Sequence, residues 1–472
     1  MTTLREARLN GDETIETPFG AIRLEHGFPT GDSSALLFDR FDTERAAQAY
    51  LWALPLVGFA TWRDRAAETF GAKEFGDFVV HETLREKRGI VTANLTTPYV
   101  INFTSLADGP VLIDYPAGPT AGGVLDFWQR PVVDLGQTGP DRGEGGGYVV
   151  LGPGHDAAPF EDSGRHVVRS ETMNILIAFR VLTQDPALMA GAKAGLKLSR
   201  AGAAPTPVRF IEGTDRAWSA TPARGLRYWA NLAAILHEEP VRDVDKAFMA
   251  MLAPLGIVKG EPFEPDARRR RILEEGATLG ELHARNLQVN PRYTRPHWPG
   301  TSWYKSFDFE LGQETDTLLQ LDERATWFYE AVTSTKGMVH PTPGAGQVFM
   351  TTKRDGDGRL LRADRTYRLR VPGDVPVAQF WSLTLYSEDT RRPYDNGGTE
   401  IRSVSLDSRD ERLRRNADGS VDLYVGPTAP PGAEDNWMRT VPEDGWFVYF
   451  RLYAPTEPFF DGTWSLPDFR AL

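Results

Sequence analysis

Apolar residues in the first part of the chain follow the spacing of a buried helix. Between residues 44 and 62 they occupy most positions around the helix, and a helix of this kind packs between layers rather than on a surface. Asp42 or Thr43 is suited to cap its first turn, and Pro55 is expected to kink it. The apolar positions are Ala46, Ala47, Tyr50, Leu51, Leu54, Val57 and Phe59.

From residue 92 to about residue 182 the pattern changes to short apolar runs with a period of two. This alternation is typical of strands with one buried face. Turn residues such as Asp108-Gly-Pro110 separate the runs, and a shorter strand-like segment precedes them at residues 14–24. The pattern predicts antiparallel strands in a sandwich or jelly roll. In the last run, Met173, Ile175, Ile177, Phe179 and Val181 share one face.

Helical spacing returns between residues 186 and 290, and strand patterns resume at residue 347. Together these segments predict a mainly β protein with an α insertion, in which two jelly-roll-like antiparallel β-sandwiches are joined by a helical region. The predicted domains are residues 1–183, 184–335 and 336–472. The predicted helices cover residues 186–199, 225–237, 241–255, 265–286 and 323–332, and the later strands cover 347–352, 366–371, 380–386, 421–425 and 446–453.

Length, charge and cysteine content narrow the class of protein. A chain of 472 residues is too long for one core. The net charge of −12 argues against a nucleic-acid partner, which requires a basic surface. The absence of cysteine excludes disulfides, thiol nucleophiles and cysteine-based metal sites. No secretory h-region is visible, and no apolar run approaches the ~20 residues of a membrane span, so we expect a cytoplasmic protein without a membrane partner.

Several longer motifs carry a resemblance to known families. In the N-terminal half they are Ile15-Glu-Thr-Pro-Phe-Gly20, the Tyr50 to Pro55 helix, Asn94-Leu-Thr-Thr-Pro-Tyr99 and 134–153. In the last third they are Phe380-Trp-Ser-Leu-Thr-Leu-Tyr386, 418–427, Asn436-Trp437, Phe450-Arg-Leu-Tyr-Ala-Pro455 and Gly462-Thr-Trp-Ser-Leu-Pro467.

The N-terminal half is similar to the bacterial domain-of-unknown-function family 1254, and the last third is similar to its usual companion, family 1214. The resemblance implies two jelly-roll-like sandwiches with a helical insertion, and it implies no activity. Many members carry an export signal, and this chain departs from that pattern.

Three carboxylates lie in the most glycine-rich stretch of the chain. Asp126, Asp134 and Asp141 stand among glycines between strand-like runs, and two of them are candidates for a general acid and a general base. His340 is a fourth catalytic candidate, because it lies where helix gives way to strand near an expected domain boundary. The structural alternative for the Asp residues is that they cap turns and accept backbone hydrogen bonds.

Aromatic and amide side chains provide candidates for substrate binding. Asn94 and Tyr99 flank a strand entrance, where they either orient a ligand or form a turn. Arg451 shares a face with aromatic residues, so it either stacks on their rings around a ligand or satisfies loop carbonyls as a buried residue. The predicted substrate-binding residues are Asn94, Tyr99, Trp128, Tyr386, Trp437, Arg451 and Tyr453.

Known catalytic and cofactor motifs are absent from the sequence. There is no G-x-S-x-G, no H-E-x-x-H, no P-loop and no G-x-G-x-x-G between a strand and a helix. The eight histidines include no His-x-His pair of the kind that copper sites use. We therefore expect no metal and no cofactor.

Two functions remain open at this point. The first is an acid–base enzyme of hydrolase or lyase type that acts on a small organic or glycan-like molecule in a cleft between the sandwiches. The second is a non-catalytic ligand-binding or self-assembling jelly-roll protein. A small-molecule ligand and a homo-oligomeric state are expected in either case.

Overall fold

The chain forms two compact units in the computed structural model, which describes residues 2–183, 185–213 and 216–472. The first unit contains the residues up to Leu54, Ala223–His237 and Val241–Arg285. The second contains Pro55–Pro222, Glu238–Pro240 and Asn286–Leu472.

Helices make up as much of the chain as strands do. They hold 28% of the residues and strands hold 27%, so the protein is mixed α and β rather than mainly β. The helix content exceeds the sequence-based prediction largely because of α1. This helix has 40 residues, since it extends beyond the apolar stretch 44–62 at both ends. The helices are α1 (Gly31–Phe70), α2 (Leu84–Lys87), α3 (Pro186–Gly195), α4 (Leu226–Glu238), α5 (Lys246–Leu252), α6 (Ala267–Val289), α7 (Leu321–Glu330), α8 (Lys336–Val339) and α9 (Glu457–Phe460).

A small sheet near the N-terminus belongs to the first unit. Its strands run in the order β1-β2-β3-β4, and β2 and β3 form a hairpin in which Ile15 faces Ile22. These two side chains and Leu24 are buried against Leu36 and Leu37 of α1. The strands are β1 (Thr2–Thr3), β2 (Glu13–Thr17), β3 (Gly20–Glu25) and β4 (Phe28–Pro29).

Residues 77–212 supply two sheets of the second unit. The four-stranded sheet has the order β11-β10-β7-β13, and the six-stranded sheet has the order β14-β5-β6-β12-β8-β9. Val111, Tyr148 and Ile177 belong to one buried cluster, which draws its residues from both sheets. The strands are β5 (Asp77–His81), β6 (Tyr99–Ser105), β7 (Val111–Tyr115), β8 (Thr120–Asp126), β9 (Pro131–Gly136), β10 (Gly146–Leu151), β11 (His166–Arg169), β12 (Asn174–Val181), β13 (Lys197–Arg200) and β14 (Arg209–Glu212).

Residues 304–471 supply two further sheets of the same unit. Their orders are β15-β16-β22-β18-β19 and β21-β20-β17-β23, and the central strand β22 is buried along its whole length. Most strand pairs in the described chain are antiparallel, as the alternating pattern predicts. The strands are β15 (Tyr304–Lys305), β16 (Gln347–Thr352), β17 (Tyr367–Val371), β18 (Trp381–Ser387), β19 (Ser405–Asp407), β20 (Val421–Gly426), β21 (Trp437–Arg439), β22 (Trp446–Tyr453) and β23 (Arg470–Ala471).

None of the helices in the described part of the chain combines the length and the apolar character that crossing a bilayer requires.

Candidate functional site

The second unit contains a cavity of about 180 Å³ whose walls come from distant parts of the chain. Strands β6, β8 and β12 form one wall, and β16 and β22 form another. Segments 90–97 and 332–338 contribute the remaining sides. Apolar side chains line much of it: Trp62, Ile101, Leu125, Phe179, Trp327, Met338, Phe349 and Phe380.

Arg451 on β22 is the main charged group of this cavity. Only 2% of its surface is exposed, although the residue lines the cavity. Its Cζ atom lies 5.2, 5.5 and 5.1 Å from the ring centroids of Phe349, Tyr386 and Tyr449. These distances allow cation–π attraction, and the strand alternation predicted that Tyr449 and Arg451 share a face.

Part of the Arg451 guanidinium has no hydrogen-bond acceptor. Nη2 donates to the Thr92 carbonyl at 3.1 Å. Nε and Nη1 meet no acceptor with good geometry among the described residues. Burial alone would lower the pKa of Arg451, but the phenol oxygens of Tyr386 and Tyr453 outweigh it and the pKa is raised. The Arg451 guanidinium is therefore positively charged and has N–H groups available to bind a ligand.

A short polar segment holds the phenol groups of the cavity. Asn94 Nδ2 donates to Tyr453 Oη at 2.9 Å, and Thr96 Oγ1 lies 3.1 Å from the same oxygen. Asn94 Oδ1 accepts from Thr96 N and Oγ1 at 2.8 and 2.7 Å. These bonds hold the Tyr453 hydroxyl of β22 against the segment 94–96.

Tyr99 differs from Tyr453 because its proton is not used. Its oxygen accepts the backbone N–H of Asn94 at 2.9 Å, and its own O–H has no acceptor within the described part of the chain. Burial raises the pKa of Tyr99, although the charges of Arg180 and Arg451 partly oppose this, so the phenol keeps its proton at neutral pH. Tyr99 is thus a spare hydrogen-bond donor beside two cations.

The charged side chains that line the cavity are all positive. Of the described residues that line it, Arg180, Arg409 and Arg451 are cationic and none is Asp, Glu or His. Elsewhere in the described chain, no three His, Asp or Glu side chains come together as ligands for a metal ion. Arginines and phenols can bind an anion or stabilise a developing oxyanion, but this lining alone offers no carboxylate or imidazole base.

Asp126 and Asp141 lie outside this cavity and bond to their own turns. Asp126 Oδ2 accepts from Arg130 Nε and Nη2 at 2.9 and 2.6 Å. Asp141 Oδ1 accepts from the Tyr148 hydroxyl at 2.6 Å and from Gly136 N–H at 2.9 Å. The structure does not bring these two carboxylates into a common site, and their use as acid and base stays a prediction.

Asp134 lies directly behind the wall of the cavity. It is buried, and its Oδ1 accepts the backbone N–H of Lys336 at 3.3 Å. Burial raises its pKa, which hydrogen bonds from Lys336, Thr138 and Gly337 partly oppose. Thr138 and Gly337 both line the cavity, so one layer of residues separates Asp134 from it.

His340 belongs to a second cavity, of about 260 Å³. Its Nε2 lies 3.5 Å from Glu310 Oε2, and the histidine side chain is about half exposed. The two cavities share Met338 and Phe349 as lining residues. His340 does not line the cavity of Arg451.

The predicted binding residues separate into two groups. Asn94, Tyr99, Arg451 and Tyr453 line one cavity, and Tyr386 lies behind Arg451 with its hydroxyl donating to the Ala93 carbonyl at 2.8 Å. Trp128 and Trp437 are elsewhere. Trp128 is buried with its ring 5.4 Å from Arg324 Cζ, and Trp437 Nε1 donates to the Gly426 carbonyl at 2.9 Å.

Sequence reasoning missed Arg180 and Gln129. Arg180 is the one charged residue of β12, whose other residues after Asn174 are apolar, and that isolated charge was a usable signal. Gln129 is buried at a positive φ of 62°, and its Oε1 accepts Thr333 N–H at 2.7 Å while its carbonyl accepts the Ser334 hydroxyl at 2.5 Å. It thereby fixes the segment 332–338, and nothing in the local sequence indicates this long-range role.

The chain matches two family models and is similar to solved structures. Residues 75–199 match the DUF1254 family model and residues 346–457 match the DUF1214 model, both described as protein of unknown function. No curated protein matches the chain. Among solved structures, the VPA0106 protein from Vibrio parahaemolyticus is 16% identical, with coverage of 91% of this chain and 100% of that one and a TM-score of 0.53, which supports a shared fold. An uncharacterized protein from Burkholderia cenocepacia is 14% identical, with coverage of 93% and 97% and a TM-score of 0.42.

Proposed function

This chain belongs to the DUF1254 and DUF1214 families, and we propose that it binds a small organic anion in the cavity around Arg451. The observation that carries the proposal is a buried guanidinium with two nitrogens, Nε and Nη1, that meet no acceptor with good geometry among the described residues. A ligand carboxylate would complete both hydrogen bonds and neutralise the charge.

The energetic cost of Arg451 supports a ligand. Burial of an ion costs several kcal/mol even after relaxation, and an ion pair normally offsets part of that cost. Here the residue is 2% exposed, and the groups that raise its pKa are phenols. Groups that reduce stability in this way are typical of functional sites, where the missing partner is the ligand.

The size and lining of the cavity limit the ligand. An apolar cavity of about 150 Å³ accepts a benzene molecule. The present cavity is about 180 Å³ and has aromatic walls, including Trp62, Phe179 and Trp327. A body of roughly one aromatic or aliphatic ring with a small charged head therefore fits, which favours an organic acid over a glycan.

Mass spectrometry of retained metabolites tests this proposal. Purified protein is incubated with a bacterial metabolite extract, washed and denatured, and the released species are compared between wild type and Arg451→Met. We expect acids of low mass at stoichiometric amounts from wild type and none from the variant. Arg368→Gln removes a charge from a half-buried strand position outside the cavity and should retain them. Equal retention by all three proteins would contradict the proposal.

An acid–base enzyme of hydrolase or lyase type is the second candidate function. Two observations favour it: the unused proton of Tyr99 and the raised pKa of Asp134, one layer behind the wall. Tyr99 and Arg451 would stabilise a carbonyl oxygen as it gains negative charge, and Asp134 would move a proton if segment 335–338 shifted.

The same extract distinguishes catalysis from binding. Under the enzyme proposal, wild type consumes a species and releases a new one, while Asp134→Asn binds the species without converting it. If wild type only retains a species unchanged, the protein is a binding protein.

Architecture, assembly and location complete the proposal. Two sheets in each β region support two jelly-roll-like sandwiches.

Phe28, Phe38 and Phe41 are exposed apolar side chains, and their exposure of 74%, 59% and 49% supports a homo-oligomer. Light scattering tests the oligomer, and cell fractionation tests the expected cytoplasmic location.

A further inference from the structure

Arg180 is a second cation of the Arg451 cavity that lacks a carboxylate partner. It lies on β12, is half-buried and lines the cavity. Its only hydrogen bond among the described residues joins Nη1 to Thr97 Oγ1 at 3.5 Å, which is long. It forms no ion pair within the same residues.

Arg180 and Arg451 both act electrostatically on Tyr99. Arg180 lies directly opposite Tyr99 in the antiparallel pair of β6 and β12. The charges of both guanidinium groups oppose the burial that raises the Tyr99 pKa. The head of a ligand beside Tyr99 therefore meets positive charge from both arginines.

Arg409 provides the contrast within the same cavity. Its Nε donates to Asp407 Oδ1 at 3.0 Å, and its Cζ lies 3.6 Å from the centroid of the Phe380 ring. That arginine is neutralised by its own carboxylate. Two of the three guanidiniums in the lining, those of Arg180 and Arg451, remain to be neutralised by the ligand.

We infer that the ligand carries two negative charges at its head and that Arg180 and Arg451 bind them beside Tyr99. This rests on the anion-binding function proposed above and names the ligand class. A monoanion leaves one cation uncompensated, whereas a dianion neutralises both and accepts from Tyr99 as well. Two kinds of head group share this chemistry: a phosphate monoester, which carries both charges on one group, and a pair of neighbouring carboxylates.

Calorimetric titration with three probes of one ring size tests the inference. The probes are benzoate, with one charge, and phthalate and phenyl phosphate, which carry two charges on two groups and on one group. We expect at least one of the dianions to bind wild type about tenfold or more tightly than benzoate, as one further charge-assisted interaction implies. The better of the two identifies the form of the head group.

Variants of Arg180 assign the preference. Arg180→Gln should remove the preference for the dianion while weakening benzoate binding by less than about threefold. The dianion should lose affinity more than benzoate does, because only the dianion loses a charged contact to Arg180. Arg180→Lys should keep most of the preference, and Arg368→Gln should keep all of it. If Arg180→Gln does not fold, the salt dependence of wild-type affinity replaces it, because a dianion bound by two cations weakens more steeply with salt than benzoate does.

The outcomes separate the two levels of the proposal. Equal affinity for benzoate and both dianions, or a preference that survives in Arg180→Gln, overturns the two-charge inference and leaves anion binding intact. Equal salt dependence of benzoate and dianion binding overturns it in the same way. Failure of all three probes to bind overturns the anion-binding function together with the inference that rests on it.

Discussion

Arg451 and Lys353 are both buried cations of the second unit, and they differ in their partners. Lys353 Nζ lies 2.6 Å from Glu330 Oε2, and both side chains are almost fully buried. Arg451 forms no ion pair within the described residues. At the residue scale, this difference is the basis of our proposal that Arg451 serves a ligand, whereas Lys353 is paired within the protein.

Replacement of each cation by methionine is predicted to have opposite consequences. Arg451→Met removes an uncompensated charge and keeps most of the volume, so the free energy of unfolding should stay within about 1 kcal/mol of wild type or rise. Lys353→Met leaves Glu330 buried without its partner and should cost ~3–5 kcal/mol. Urea denaturation measures both. A loss of several kcal/mol in Arg451→Met would show that the arginine is structural.

Lys87 is predicted to make stability depend on pH. Burial, with a smaller contribution from the charge of Arg180, lowers its pKa to about 7, whereas the unfolded value is near 10.5. Between these values the unfolded chain binds the proton and the folded chain does not, so stability rises with pH across this window. Below about pH 7 both states are protonated and the full cost of the buried charge is present.

The measurement is urea denaturation of wild type and Lys87→Met at several pH values from about 6 to about 10. This range covers most of the interval between the folded and unfolded pKa values of Lys87. Wild type should gain stability relative to the variant as the pH rises. The variant loses the hydrogen bonds to Thr97 O (2.7 Å) and Leu95 O (3.4 Å) at every pH, so its offset is constant. A constant difference between the two proteins would contradict a lowered pKa.

At the element scale, the segment that carries α8 closes one side of the cavity and is packed tightly at Gly346. Gly346 has a φ of +79°, and a Cβ there would lie 2.5 Å from the Gly337 carbonyl oxygen. Gly344 has nearly the same φ, +81°, with nothing within 4 Å of a Cβ. Gly337 and Gly346 both line the cavity.

Alanine at these two glycines is predicted to act differently. Both variants lose about 1 kcal/mol from the left-handed backbone. Gly346→Ala should lose ~1–3 kcal/mol more from overpacking and should weaken ligand binding, because Gly337 must shift. Thermal unfolding and titration with benzoate compare the pair. Equal losses in both variants would show that this side of the cavity is not rigid.

The strand patterns could be predicted because each one is local. The alternation at Met173–Val181 and at Trp446–Tyr453 corresponds to β12 and β22. The families followed from other local motifs, such as those at residues 134–153 and 418–427. The full length of α1 could not be predicted, since only residues 44–62 are apolar on most faces. The cavity could be predicted only in part. Arg451 and Tyr99 stand out in the sequence, but their proximity to Arg180 depends on strands far apart in the chain.

At the scale of the whole molecule, both family regions contribute to one cavity. Tyr99 and Arg180 belong to the region at residues 75–199, and Arg451 and Tyr453 belong to the region at residues 346–457. Hydrogen bonds join them: Asn94 Nδ2 to Tyr453 Oη at 2.9 Å and Thr92 N–H to the Arg391 carbonyl at 2.7 Å. Residues of both matched regions therefore line one cavity and are bonded to each other around it.

Separation of the two regions is predicted to abolish the site. A fragment of residues 286–472 loses the Thr92 and Ala93 carbonyls that accept from Arg451 and Tyr386, so buried polar groups lose their partners. We expect the fragment to lack dispersed NMR signals and to bind no anion, and co-expression with residues 1–285 to restore both. A fragment that folds and binds alone would show that the second region carries the site by itself.

The most direct test of anion binding at Arg451 is a crystal structure with 4-bromobenzoate, measured at the bromine absorption edge. We predict an anomalous peak for bromine inside the cavity, with the carboxylate oxygens within hydrogen-bond distance of Arg451 Nε and Nη1. The same crystals of Arg451→Met should show no peak there. A wild-type cavity without bromine at saturating ligand, or a carboxylate that points away from Arg451, would contradict the account.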